Sequence, residues 1–196
     1  MNWIFENLFL LLEILAVLFG VVYVICAAQN KLIAWPLGII GSLISIYIFW
    51  IYANLYAEAI LYSYYVFAGF YGWFQWSKIQ HDLSNKGIIK INLIIHFYVI
   101  IIGTILSLGL YYLLTKLTKD AARPLIDSFT TIFSFIATYM TAKKWIENWI
   151  YWILINIVSV YLYFSRGLEI YALLMLINAV IAAIAYYKWK KIIANK

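Results

Sequence analysis

Trp145-Ile146-Glu147-Asn148-Trp149-Ile150-Tyr151-Trp152-Ile153-Leu154-Ile155-Asn156, continuing to Tyr161, is the stretch around which the chain is organised. At about 100° per residue, Trp149, Trp152, Asn156, Ser159 and Tyr163 fall within roughly an 80° arc of a helical wheel, so one face of an apolar helix carries two indoles and an amide. That face reads as a binding wall. An asparagine set among Ile153, Leu154, Ile155, Ile157 and Val158 needs hydrogen-bond partners if hydrocarbon surrounds it, which makes it a site candidate. The alternative for such an amide is glue between membrane helices.

Apolar residues fill 67% of the 196 positions and charged ones 11%, a composition of polytopic membrane proteins and not of soluble domains. The single cysteine, Cys26, excludes a disulfide framework and a cysteine-rich metal centre, and within its apolar run it reads as a small packing residue. The net charge of +6 does not point to nucleic acid, because the basic residues fall in loops and in the tail. The N-terminus carries Glu6 in place of a basic leader and lacks a small-residue cleavage site after its first apolar run, so it reads as a retained helix.

With about 20 residues needed per crossing, spans are expected near 4–28, 32–52, 57–76, 91–115, 127–142, 146–164 and 170–189. The fifth is the shortest and most polar. An odd number of spans puts the termini on opposite sides. Lys116, Lys119, Arg123 and Arg166 then share one side, while Lys31, Lys78, Lys86, Lys90, Lys143, Lys144, Lys188, Lys190, Lys191 and Lys196 share the other. The positive-inside rule places the C-terminus in the cytoplasm and the N-terminus outside. Trp3, Trp76 and Trp189, near span ends, read as interfacial anchors.

A shift of 114 positions lays Glu13 on Asp127, Trp35 on Trp149, Gly38 on Trp152, Ser42 on Asn156, Ser45 on Ser159 and Tyr47 on Tyr161. Beyond the next loop the shift is 113, and Ala59, Gly69, Gly72 and Trp76 meet Ala172, Ala182, Ala185 and Trp189. The loss of one loop residue is easily accommodated. A three-span unit within 1–78 is thus repeated within 125–190, and the odd span at 91–115 gives both units the same orientation: a parallel 3+1+3 arrangement in a single membrane domain. The units differ chemically. Where the first has Trp35, Gly38 and Ser42, the second has Trp149, Trp152 and Asn156, which fits a cavity with one functional wall. Thr131, Ser134, Thr138 and Thr141 add a hydroxyl stripe along the fifth span, although such side chains also bond to their own helix.

Glu13 lies deep. Only fifteen residues separate it from Gln29, too few for a span, so the first helix starts before it and buries it. Either it is protonated and hydrogen-bonded, or it faces a partner or a water-filled cavity; no basic residue is placed to complete a relay. His81 and His96 form no metal-ligand pair.

Trp35-Pro36-Leu37-Gly38-Ile39-Ile40, Tyr71-Gly72-Trp73-Phe74-Gln75-Trp76, Arg123-Pro124 to Asp127-Ser128-Phe129, and Glu147-Asn148-Trp149 to Tyr161 together resemble the PnuC family of bacterial vitamin transporters, relatives of the SWEET carriers. The resemblance covers nearly the whole chain. Trp152-x3-Asn156-x4-Tyr161 is similar to the signature of the nicotinamide riboside branch, as against the thiamine and riboflavin branches. It implies substrate contacts from Trp149, Trp152 and Asn156, facilitated diffusion across the inner membrane, no cofactor, and a homotrimer. Tyr161 lies about 140° from Asn156 on the wheel, so it faces another helix. Thr138 departs from the glutamine expected there, and Ala185 from the glycine of the second Gly-aromatic-x-x-Trp motif.

The chemistry agrees with that resemblance. A pyridinium cation is held by indole faces at about 0.5 to 2 kcal/mol per contact. Its carboxamide and ribose suit an asparagine and hydroxyls from Ser42, Thr131, Thr138, Ser159 and Tyr163. Thiamine is an aromatic cation too, so this argument leaves both open. A phosphate would lack a deep Arg or Lys. The expected function is uniport of a small vitamin by alternating access; a proton-coupled symporter using Glu13, with Asp127 as its polar counterpart, is the alternative in mechanism. An intramembrane enzyme is disfavoured by the lack of His-Glu-x-x-His, paired aspartates or Gly-x-Ser-x-Gly, and a scaffold would need no amide among indoles.

Overall fold

The computed structural model describes residues 2–52, 56–80, 87–117, 123–165, 167 and 169–195, the side chains of 2–7, 52, 56–58, 79–80, 117 and 170 excepted. His81, Lys86, Lys119, Arg166 and Lys196 lie outside the described residues. The described chain is seven helices: α1 (Asn2–Ala28), α2 (Ala34–Tyr47), α3 (Tyr56–Gln80), α4 (Leu93–Leu117), α5 (Pro124–Ala142), α6 (Asn148–Phe164) and α7 (Glu169–Ala194), with a π-helical turn, Ile48–Tyr52, extending α2. Helices are the expected solution in lipid, where each backbone polar group must be satisfied within its own segment.

Five of them, α1, α2 with its π turn, α4, α5 and α7, are long and apolar enough to cross a bilayer. α6 is apolar but has 17 residues, about 25 Å at 1.5 Å each. α5 starts earlier than the sequence suggests, because Pro124 occupies the first helical turn, where its missing N–H is harmless, and Asp127 follows in that turn beside the positive helix end.

The chain forms two compact units, Met1–Lys86 and Gly87–Lys196, so α4 groups with the helices that follow it. In the first unit α2 packs on α1 and on α3. Trp35 is enclosed there, its ring edge-to-face with Trp76 (centroids 5.5 Å apart, planes at 86°) and near Tyr23 at 5.9 Å. Gly72 makes this possible, since a β-carbon at that position would collide with the Trp35 ring. In the second unit α5 packs on α4 and α6, and α6 on α7. A β-carbon on Gly103 of α4 would come within 2.7 Å of Phe133 of α5, so that glycine sets the close approach of the two helices.

The corners before α2 and α6 are built alike, bond for bond. α1 and α5 both end in a Schellman motif, with a non-glycine residue in left-handed backbone: Asn30 at φ 56 and Lys144 at φ 54. Asn30 N–H donates to Ala27 O and Lys31 N–H to Cys26 O, as Lys144 N–H does to Thr141 O and Trp145 N–H to Met140 O. The next turn follows suit: Ala34 N–H to Lys31 O and Trp35 N–H to Leu32 O in one unit, Asn148 N–H to Trp145 O and Trp149 N–H to Ile146 O in the other. Trp149 then meets Trp189 edge-to-face, 5.4 Å apart at 89°, as Trp35 meets Trp76. Trp76 and Trp189 are thus buried packing residues and not the interfacial anchors expected from their place near span ends.

Candidate functional site

The second unit carries most of the candidate residues, along α6. Five side chains share one arc of the wheel, yet their neighbours divide them. Trp149, 3% exposed, is sealed against Trp189 of α7, and Tyr163 lies against Tyr171 of the same helix, rings 5.7 Å apart. Trp152 turns the other way. It is half-buried against the core of Phe133, Ala137, Met140, Tyr151 and Ile155, and its indole Nε1–H donates to Thr141 Oγ1 of α5 at 3.3 Å.

Thr141 is itself held. Its hydroxyl lies 2.8 Å from Ala137 O and 3.0 Å from Asn148 Oδ1, and Asn148 Nδ2 donates to Trp145 O at 2.6 Å. Asn148 is fully buried. One turn along α6 from Trp152, Asn156 is 7% exposed, and Ser159, on the next turn, is buried too. An asparagine amide offers both a donor and an acceptor, which a ligand carrying both can match.

Thr138 is buried and donates to Ser134 O at 2.8 Å, so its hydroxyl is committed to its own helix, whereas the Thr141 hydroxyl has two acceptors in reach, Ala137 O and Asn148 Oδ1. Thr131 lies half-buried in the same helix. In the first unit Trp35 is in the packed interior, Ser42 is buried, and Ser45 donates to Gly41 O at 2.9 Å. Glu13 is half-buried on α1, and Asp127 half-buried on the first turn of α5; both have partners.

Three features escaped the sequence reading. Glu147, 5% exposed, is a buried acid, whereas Glu13, expected to be buried, is only half-buried; the Glu147 carboxylate accepts from Ile91 N–H at 3.2 and 3.3 Å. Beside it Ile89 pairs with the corner, its N–H donating to Lys144 O and its O accepting from Ile146 N–H, which straps the start of α4 to the α5–α6 corner. His96 Nδ1 lies 3.0 Å from Tyr151 Oη with the two rings stacked, a further tie between α4 and α6. Tyr161, by contrast, behaves as the wheel predicts: Arg123 donates to its hydroxyl at 2.6 Å and lies over its ring, joining α5 to α6 away from Asn156. The signal for Asn148 was its position four residues before Trp152, on the same helix face.

A multi-helix membrane chain with a polar and aromatic α6 face matches one family over residues 10–191, that of the nicotinamide mononucleotide transporters. The chain belongs to this family. It is 26% identical over 204 aligned residues to the nicotinamide riboside transporter PnuC of Escherichia coli (strain K12), covering 91% of this chain and 84% of that protein, and the Shigella flexneri PnuC matches equally. The riboflavin/roseoflavin transporter RibM of Streptomyces davaonensis is 22% identical over 180 residues, covering 85% of this chain and 82% of that protein. In fold, the chain resembles the crystal structure of the vitamin B3 transporter PnuC with a TM-score of 0.72 at 20% identity, over 94% of this chain and 82% of that one. The protein is a multi-pass membrane transporter.

Proposed function

We propose that the protein carries nicotinamide riboside across the bacterial inner membrane by facilitated diffusion. One observation supports this above the others: a half-buried indole, Trp152, stands one helical turn from the buried Asn156, the amide of the same helix face. An indole face suits a pyridinium cation, and an amide offering both donor and acceptor suits a carboxamide that offers both. The names of the PnuC relatives point the same way. Ser159 extends this wall, and Trp149, Thr131, Thr138 and Tyr163 of the same unit are further candidates.

The free nucleoside fits this site better than its phosphate. Lys144 is the buried cation of the second unit's corner, but Asn156 lies eight residues into α6, about 12 Å beyond the corner by helical rise. The bond-for-bond likeness of the two corners supports a parallel pair of three-helix units, with the N-terminus outside and the C-terminus in the cytoplasm. Alternating access is the transport mode that such a repeat supports. A homotrimer remains the expected assembly.

The test is calorimetry of purified protein with nicotinamide riboside, thiamine and riboflavin. Saturable, tightest binding of nicotinamide riboside is the expected result. Tighter binding of thiamine or riboflavin would reassign the substrate while leaving the fold and the transport mode intact, and no binding of any of them would sink the reading.

A further inference from the structure

The two corners have the same backbone but different chemistry. At the positions of Thr141, Asn148 and Trp152 in the second unit, a shift of 114 residues finds Ala27, Ala34 and Gly38 in the first. The Schellman bonds, the turn that follows and the Trp–Trp pair form equally well over the two alanines and the glycine. Thr141 and Asn148 are therefore not what this corner needs in order to fold. They occur where the matching residue is the indole of the candidate site.

We propose that Asn148 and Thr141 are positioning residues for substrate recognition, a two-step relay that fixes the Trp152 ring. Asn148 is anchored by its Nδ2–H on Trp145 O, which aims Oδ1 at Thr141; Thr141 then presents its oxygen to the Trp152 indole N–H. An indole so tethered at its nitrogen keeps one orientation on the side that faces Asn156. Both relay members are buried, so water does not compete for these bonds. A planar cation then meets a ring already held in place, and loses less affinity to ordering that side chain. The inference rests on the reading of Trp152 as a substrate contact given above.

Thr141→Ala and Asn148→Ala restore the residues of the first unit's corner, so both variants are expected to fold. Nicotinamide riboside affinity should fall about threefold to tenfold in each, the worth of one lost hydrogen bond. Thr141→Ser keeps the hydroxyl and should bind like the parent. The Trp152 Nε1–H resonance, assigned by its loss in Trp152→Phe, should move in Thr141→Ala and return in Thr141→Ser, a response that general loosening of the corner would not give. In a Trp152→Ala background Thr141→Ala should add no further loss, because the two act as one unit. Parent-like affinity of Thr141→Ala alongside an impaired Trp152→Ala overturns the relay alone. Parent-like affinity of Trp152→Ala overturns the reading of the site beneath it.

Discussion

Asn30 and Lys144, 114 positions apart, hold the same left-handed backbone and close the same two hydrogen bonds at the ends of α1 and α5. Neither is glycine, although left-handed backbone costs an ordinary L-residue about 1–2 kcal/mol. Asn30→Gly and Lys144→Gly should consequently be tolerated in thermal unfolding in detergent, whereas Asn30→Ile should lower the transition clearly, because a β-branched side chain crowds that conformation. An Asn30→Ile protein as stable as the parent would contradict the Schellman geometry.

Trp149 and Trp152 sit three residues apart, yet they predict different phenotypes. Trp149 is packed edge-to-face against Trp189, so Trp149→Ala should cost roughly 3 kcal/mol or more of stability through the cavity it leaves. Trp152→Ala should leave the protein folded and weaken nicotinamide riboside binding. Melting curves read beside calorimetry separate the two; the reverse pattern would exchange their roles.

Asn156→Ala should weaken binding, and Asn156→Asp should change selectivity. The parent is expected to bind nicotinamide riboside at least about tenfold tighter than thiamine, because a site built to satisfy a carboxamide leaves its own polar atoms unpaired around other ligands. An aspartate suits the donor-rich aminopyrimidine of thiamine better and should narrow that ratio. Competition binding with both vitamins checks this, and an unchanged ratio would remove Asn156 from the specificity determinants.

Gly72→Ala should destabilise the first unit, since the added β-carbon falls on the Trp35 ring, while Ala185, the matching residue of the second unit, already carries one. A drop in thermal stability is the expected result. A parent-like melt would mean that Trp35 has room to move.

Uptake into liposomes should reach the equilibrium level and not exceed it, with or without an imposed proton or sodium gradient. Glu13→Gln tests the alternative. Gradient-driven accumulation abolished by that substitution would make the protein a symporter.

By itself the sequence determined that the chain is a multi-span helical membrane protein, that α6 bears an amide among indoles, and that two stretches 114 residues apart resemble each other. These are local properties: hydropathy over about 20 residues counts spans, and 3.6-residue periodicity says which side chains share a face. It did not show which neighbour each side of that face would meet. Trp149, Trp152 and Tyr163 occupy one arc of the wheel, but α7 takes Trp149 and Tyr163 while α5 takes Trp152, because a helix packed on both flanks divides even a narrow arc between its partners. Burial of Trp76 and Trp189, the return of the Thr138 hydroxyl to its own helix, and the reach of Glu147 to an amide 56 positions away were likewise decided by tertiary contact. A hydrogen bond is satisfied by whichever group lies closest in space, and only the folded chain fixes which one that is.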